Sequence, residues 1–174
     1  LDYPLSKGRK IYVSNEGDDS NDGLSENKPI KTINKVNSLS LQAGDNILFK
    51  KGETFTGALS FTSLSGDDNN PITFASYGDG SKPIITNKFS NVFSVEKGSN
   101  IVVRDLKFIG ENKKRDETTT CYNIISFSYS FVKENKYKNI YICDNEVEGN
   151  GTDSMLMGIT VTSTEDNYKS SPIN

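Results

Sequence analysis

At 174 residues and 19.2 kDa the chain has room for one domain and little more. Only 33% of it is apolar, in short β-branched and aromatic clusters separated by Ser, Asn, Gly and Asp; no run nears the ~18 apolar residues of a membrane-spanning helix, and the pattern argues against a helical bundle and against a disordered chain. A net charge of -3, from 20 basic and 23 acidic residues, sets up no field for nucleic acid or an anionic membrane, and without His neither a Ser/His/Asp triad nor a His-ligated metal can be assembled.

The first residues, LDYPLSKGRK, carry no signal-peptide core and no initiator Met, as expected of a mature or trimmed chain. KIYVS at 10–14 alternates as a strand does and runs into the polar turn region EGDDSNDGLSENKP. After Pro29, the positions Ile30, Ile33, Val36 and Leu39 or Leu41 recur at helical spacing and predict one amphipathic helix over 30–41, stopped by Gly44 and Asp45. From there the pattern predicts short strands at 47–49, 59–61, 72–76, 84–86, 92–95, 101–104, 123–127, 140–143 and 158–162, with Gly, Asn and Asp between them. Cys121 and Cys143 allow at most one bridge, match no zinc or redox spacing, and are expected to be two buried thiols.

An internal repeat decides the fold class. NIVVRDLKFIGE, beginning at Asn100, aligns without gaps on NIYICDNEVEGN, beginning at Asn139, so that Asp105 falls on Asp144 and Gly110 on Gly149. A second series, Phe93, Ile125 and Ile159, recurs at a similar period just upstream each time. Within each repeat the inward alternation slips by one residue around Arg104 and Asp105, which places a corner there. Two interleaved series of short strands describe successive coils of an all-β parallel solenoid, each stacked on the last at ~4.8 Å, with apolar ladders that no single coil can bury. The exposed end of such a stack needs a cover, and the helix at 30–41 is placed to be it. A β-sandwich is the competing fold, but it does not require an aligned repeat.

The stretch IYVSNEGDDSNDGLSENKPIKTINKVNSLSLQAGDNILFKKGETFTGALSF, followed by NNPITFASYGDGSKPIIT, resembles the N-terminal segment of secreted right-handed parallel β-helix proteins of the pectate-lyase-like superfamily. The resemblance covers residues 10–110 by motif and 120–162 by coil pattern. It implies a right-handed β-helix with an amphipathic capping helix, divided into a cap over 1–44 and first coils over 45–174, in a bacterial protein that is secreted, periplasmic or held at the cell surface. Its relatives include polysaccharide lyases, glycoside hydrolases and surface proteins. About three coils are expected after the cap, with no closing element at SSPIN, so the chain is expected to be the N-terminal part of a longer solenoid or to meet a partner at its open end.

Four residues carry the candidate chemistry. Asp105 and Asp144 occupy equivalent repeat positions on neighbouring coils, where two carboxylates repel unless a cation, an Arg or a shared proton separates them. That arrangement suits calcium held against an acidic sugar, or an acid and base pair. Beside them, Arg104 offers a uronate contact, and Lys107 a base if its pKa were depressed. The competing reading is solvated corner residues, with Lys107 paired to Glu146 across the coil. Asp18, Ser20 and Asp22 before Gly23 match the first half of a calcium loop, although Pro29 stands where its closing acid belongs, and the alternative there is a tight self-capping turn. Tyr122 and Tyr141 belong to an aromatic-rich second half suited to stacking on pyranose rings, and long insertions at 110–120 and 129–138 are expected to project as loops walling a groove.

Three functions follow. The first is an extracellular lyase or glycoside hydrolase acting on polysaccharide, acidic polysaccharide in particular, with calcium as the one candidate cofactor. The second is a noncatalytic adhesive β-helix that binds a surface glycan or a protein, and the third a purely structural segment.

Overall fold

The structure, a computed structural model, describes residues 4–88, 90–111, 123–130, 138–149 and 157–164. Strand β1 (Lys10–Val13) and helix α1 (Ile33–Asn37) precede four turns of a coil. The first turn holds β2 (Asn46–Lys50), β3 (Thr54–Thr56), β4 (Leu59–Phe61) and the short β5 (Leu64–Ser65). In the second come β6 (Ile72–Tyr77), β7 (Ile84–Asn87), β8 (Phe93–Glu96) and β9 (Gly98–Ser99). The third has β10 (Ile101–Arg104), β11 (Lys107–Gly110) and β12 (Asn123–Ser130), and the fourth β13 (Ile140–Cys143), β14 (Glu146–Gly149) and β15 (Met157–Thr164). There are thus four turns rather than three, because strands as short as β3 and β5 leave little alternation to read.

Strands of the same rank stack from turn to turn, always in parallel. One sheet runs β1-β2-β6-β10-β13, a second β3-β7-β11-β14, a third β4-β8-β12-β15, and β5 pairs with β9. This is a parallel β-helix. The repeat is its register: Ile101 pairs with Ile140, Val103 with Ile142 and Phe108 with Val147, while Ile125 sits between Phe93 and Ile159. Ile47, Phe74, Val103 and Ile142 stack in that order, and the step from Val103 to Ile142 is clearly longer than the two before it. The longer third turn contains 112–122 and 131–137, which flank β12 in sequence and lie outside the described residues.

Asn100, Asp105, Asn139 and Asp144 adopt left-handed conformations (φ 52°, 54°, 59° and 53°) at the two ends of β10 and β13. Short amide and carboxylate side chains tolerate that region better than other non-glycine residues. Asn139 Nδ2 also donates to Asn100 Oδ1 at 2.7 Å, continuing the stack through the side chains. Inside, Phe93 lies 5.1 Å from Phe74, 5.8 Å from Phe127 and 6.1 Å from Phe108, ring centre to ring centre. All four rings are fully buried, each stabilising the fold by roughly 1.5–3 kcal/mol.

At the first end Ile33 and Val36 of α1 are buried, and Leu39 and Leu41 pack partly against the core. The apolar positions read from the sequence therefore do form the lid, but only Ile33–Asn37 is helical. Ile30 instead bridges Val13 as an extended residue, and Asp19 fixes the next two by accepting from the Lys31 and Thr32 amides and the Thr32 hydroxyl at 2.6–2.9 Å. Thr32 then caps the helix by accepting from the Lys35 amide. Gly57 (φ 135°) lets the helix sit close, since a Cβ there would meet Ile33 Cβ at 3.2 Å.

At the opposite end the ladders emerge into solvent: Val147, Ile159 and Val161 are 37%, 51% and 63% exposed. Cys143 is a free thiol and only half-buried, contrary to expectation, because it points outward from β13 in the last turn. Cys121 lies outside the described residues. No helix among the described residues is long and apolar enough to cross a membrane.

Candidate functional site

The corner after β10 bends where the sequence indicates. Asp105, 18% exposed there, accepts a hydrogen bond from the Ser76 hydroxyl and lies 3.1 Å from Lys51 Nζ. Burial pushes its pKa up, but the Ser76 and Lys51 contacts outweigh this and hold it below the usual carboxylate range. One turn on, Asp144 is 73% exposed and lies 3.1 Å from Lys82 Nζ, which also donates to the Asp144 carbonyl at 2.7 Å. Lys82 contributes to lowering the Asp105 pKa as well. The cations that the stacked aspartates require are thus Lys51 and Lys82, supplied by the corners of the first two turns.

Lys107 bridges Glu148 at 2.8 Å and Glu146 at 3.8 Å. Its hydrogen bond with Glu148 raises its pKa, the opposite of what a base needs. Arg104 is half-buried at the end of β10, and its Nε is closed off from solvent with no hydrogen-bond partner among the described residues. The four candidates are neighbours, as the repeat requires, but the charges of Asp105, Lys107 and Asp144 are spent on ion pairs that hold the corners.

In the loop after β1, Asp18 accepts from the Ser20 amide at 2.8 Å and Asp22 from the Leu24 amide at 2.9 Å, each turning the chain on itself. Among the described residues no group of three or more Asp, Glu or Cys side chains is placed to hold a metal ion. Asp19 between them is the acid that shapes this loop, and sequence reading passed over it. Tyr141 projects from the outer side of β13, 37% exposed. Tyr122 lies outside the described residues.

A second feature emerges only in the fold. On the outer side of the third sheet, Ser60, Ser94, Ser126 and Thr160 fall in one register row, one hydroxyl per turn. Ser94 donates to Ser60 at 3.3 Å, and Thr160 donates to Asn123 Oδ1 at 2.7 Å. Glu96, Ser128 and Thr162 continue the next row. The signal was present in sequence, because each member of the Phe93, Ile125, Ile159 series is followed by Ser or Thr. This polar face is carried by β12, the strand that both long insertions adjoin.

A parallel β-helix whose third sheet turns a polar row outward is a recognisable class of architecture. A lacto-N-biosidase of Bifidobacterium longum subsp. longum is 32% identical to the chain over 140 residues, which is 77% of this chain and 8% of that protein. Two crystal structures of the GH136 lacto-N-biosidase from Eubacterium ramulus share the fold, with TM-scores of 0.68 and 0.64 and identities of 24% and 25%. Each covers 91% of this chain, which spans 30% and 31% of theirs. A rhamnogalacturonan lyase matches with a TM-score of 0.51 and 19% identity, over 81% of this chain and 38% of its own. The chain therefore spans a small part of the proteins it resembles. No family model matches it.

Proposed function

We propose that this chain is the capped first part of a bacterial glycoside hydrolase, secreted or displayed at the cell surface, that acts on a neutral glycan of the lacto-N-biose type. The similarity to the B. longum lacto-N-biosidase carries the reading, since it extends over most of this chain. The corner chemistry supports a hydrolase rather than a calcium-dependent lyase: lysines already neutralise Asp105 and Asp144, and Lys107 is held protonated.

In this reading Asp105, Lys107 and Asp144 hold the frame, and the glycan lies along the third sheet. Glycoside hydrolysis uses two carboxylates. Among the described residues the outer rows of that sheet offer one, Glu96. In this reading its counterpart comes from outside the described residues or from further coils. The ladder ends at Val147, Ile159 and Val161 are the surface on which such coils would stack.

The test is to assay the natural protein containing this chain on p-nitrophenyl β-lacto-N-bioside and on oligogalacturonides. Release of p-nitrophenol, with no ultraviolet-absorbing unsaturated product from the uronides, is expected. Unsaturated product would restore the lyase reading. Glycan binding with no turnover would establish the adhesive one.

A further inference from the structure

The outer side of the first sheet is the wrong composition for a face turned to water. Thr73 and Val102 point away from the core yet are buried, and Tyr141 follows Val102 in the same row. Above this row lies a cleft of about 450 Å³ lined by Pro4, Ser6, Asp68, Val102, Asn139 and Tyr141, among others. That volume falls in the range of small-ligand sites, which are mainly apolar with a few fixed polar groups.

Both walls are held in place. On one side the Ser6 amide donates to Asn46 Oδ1 at 2.9 Å, Asn46 Nδ2 returns a bond to the Ser6 carbonyl at 3.0 Å, and the Ser6 hydroxyl donates to the Pro71 carbonyl at 2.8 Å. On the other, Asp67 closes a tight turn by accepting from the Asn69 and Asn70 amides at 3.0 and 2.8 Å. Lys138 ties that turn to the fourth coil through Asp68 at 2.7 Å. A site whose walls are already fixed loses little freedom when it binds.

We propose that this cleft is a binding site for a neutral pyranose, separate from the polar face of the third sheet. The Tyr141 ring and the Val102 floor suit the C–H face of a sugar. Its hydroxyls meet acceptors at the rim: the side-chain oxygen of Asn139, whose amide nitrogen is turned to Asn100, and the carboxylates of Asp67 and Asp68. The Lys138 contact holds Asp68 ionised. With Lys7 also lining the cleft and Lys138 bonded to Asp68, the charges around it balance, which suits an uncharged ligand. The sugar class rests on the glycan reading above, but the site does not depend on hydrolysis.

The probes are lacto-N-biose and digalacturonate, titrated into the isolated chain by isothermal calorimetry and by amide-resolved NMR. Saturable binding of lacto-N-biose is expected, with shifts at Asn69, Val102 and Asn139, and about tenfold weaker affinity in Tyr141→Ala. Lys28→Ala, exposed in the loop after β1 and remote from both faces, leaves it unchanged. Absence of saturable binding, preference for digalacturonate, or shifts confined to the third sheet would overturn the site. The wild-type shift map decides even if Tyr141→Ala folds poorly. Binding here without hydrolysis by the natural protein would sink the hydrolase reading and leave this one standing.

Discussion

The two ends of the stack obey the same pattern and meet opposite fates. Phe93 and Ile125 are buried, while Ile159, the next rung of their ladder, is half exposed. Beyond the first turn the chain places α1, so the inward side chains there are covered. Beyond the fourth, among the described residues, the ladder has neighbours on one side only. Position in the stack, more than residue type, sets what an apolar side chain contributes here, because a rung is buried only between two others.

The largest effect should come from the middle. Phe93→Ala removes a ring packed among Phe61, Phe74, Phe108 and Phe127 and is expected to cost about 3–5 kcal/mol in urea unfolding. Val161→Ala in the same sheet should cost less than about 0.5 kcal/mol. Comparable losses would break the comparison.

At the capped end, Asp19→Ala removes three acceptor contacts that set the angle of entry into α1, and about 2 kcal/mol is expected. A negligible change would mean that the apolar lid alone positions the helix.

Asp105→Asn keeps a residue tolerant of the left-handed corner but loses the charge facing Lys51, for about 1 kcal/mol at neutral pH. Because the folded pKa is depressed, this stabilisation is complete above the unfolded value of about 3.9 and is lost as pH falls through the lower folded value. Unfolding curves of wild type and variant should therefore converge on acidification, and curves that stay parallel would contradict the assignment.

The smallest effect is at the exposed corner, where Lys82→Met should cost under about 1 kcal/mol and the difference should shrink in high salt.

The register of the third and fourth turns was legible because their equivalent segments align with no gap, so Asn100 and Asp105 announced Asn139 and Asp144. The first turn was not, since the step from Ile47 to Phe74 belongs to a tighter coil without insertions, whose period differs from that of the visible repeat. Nor were the cations beside the aspartates. Lys51 and Lys82 belong to turns well upstream of the Asp105 and Asp144 they face, and only the fold brings such corners together. The helix length was misread for a local reason: periodicity reports which residues are buried, whereas the Asp19 and Thr32 bonds that delay the helical start leave no periodic trace.

Amide hydrogen exchange tests most directly the claim that this chain is the closed end of a longer stack. In the isolated chain, β2, β6 and β10 should exchange slowly and β13, β14 and β15 quickly, whereas in the natural protein the last three should become as protected as the first. Rapid exchange of β13, β14 and β15 in both would contradict the account, since it would mean that nothing stacks on Val147, Ile159 and Val161.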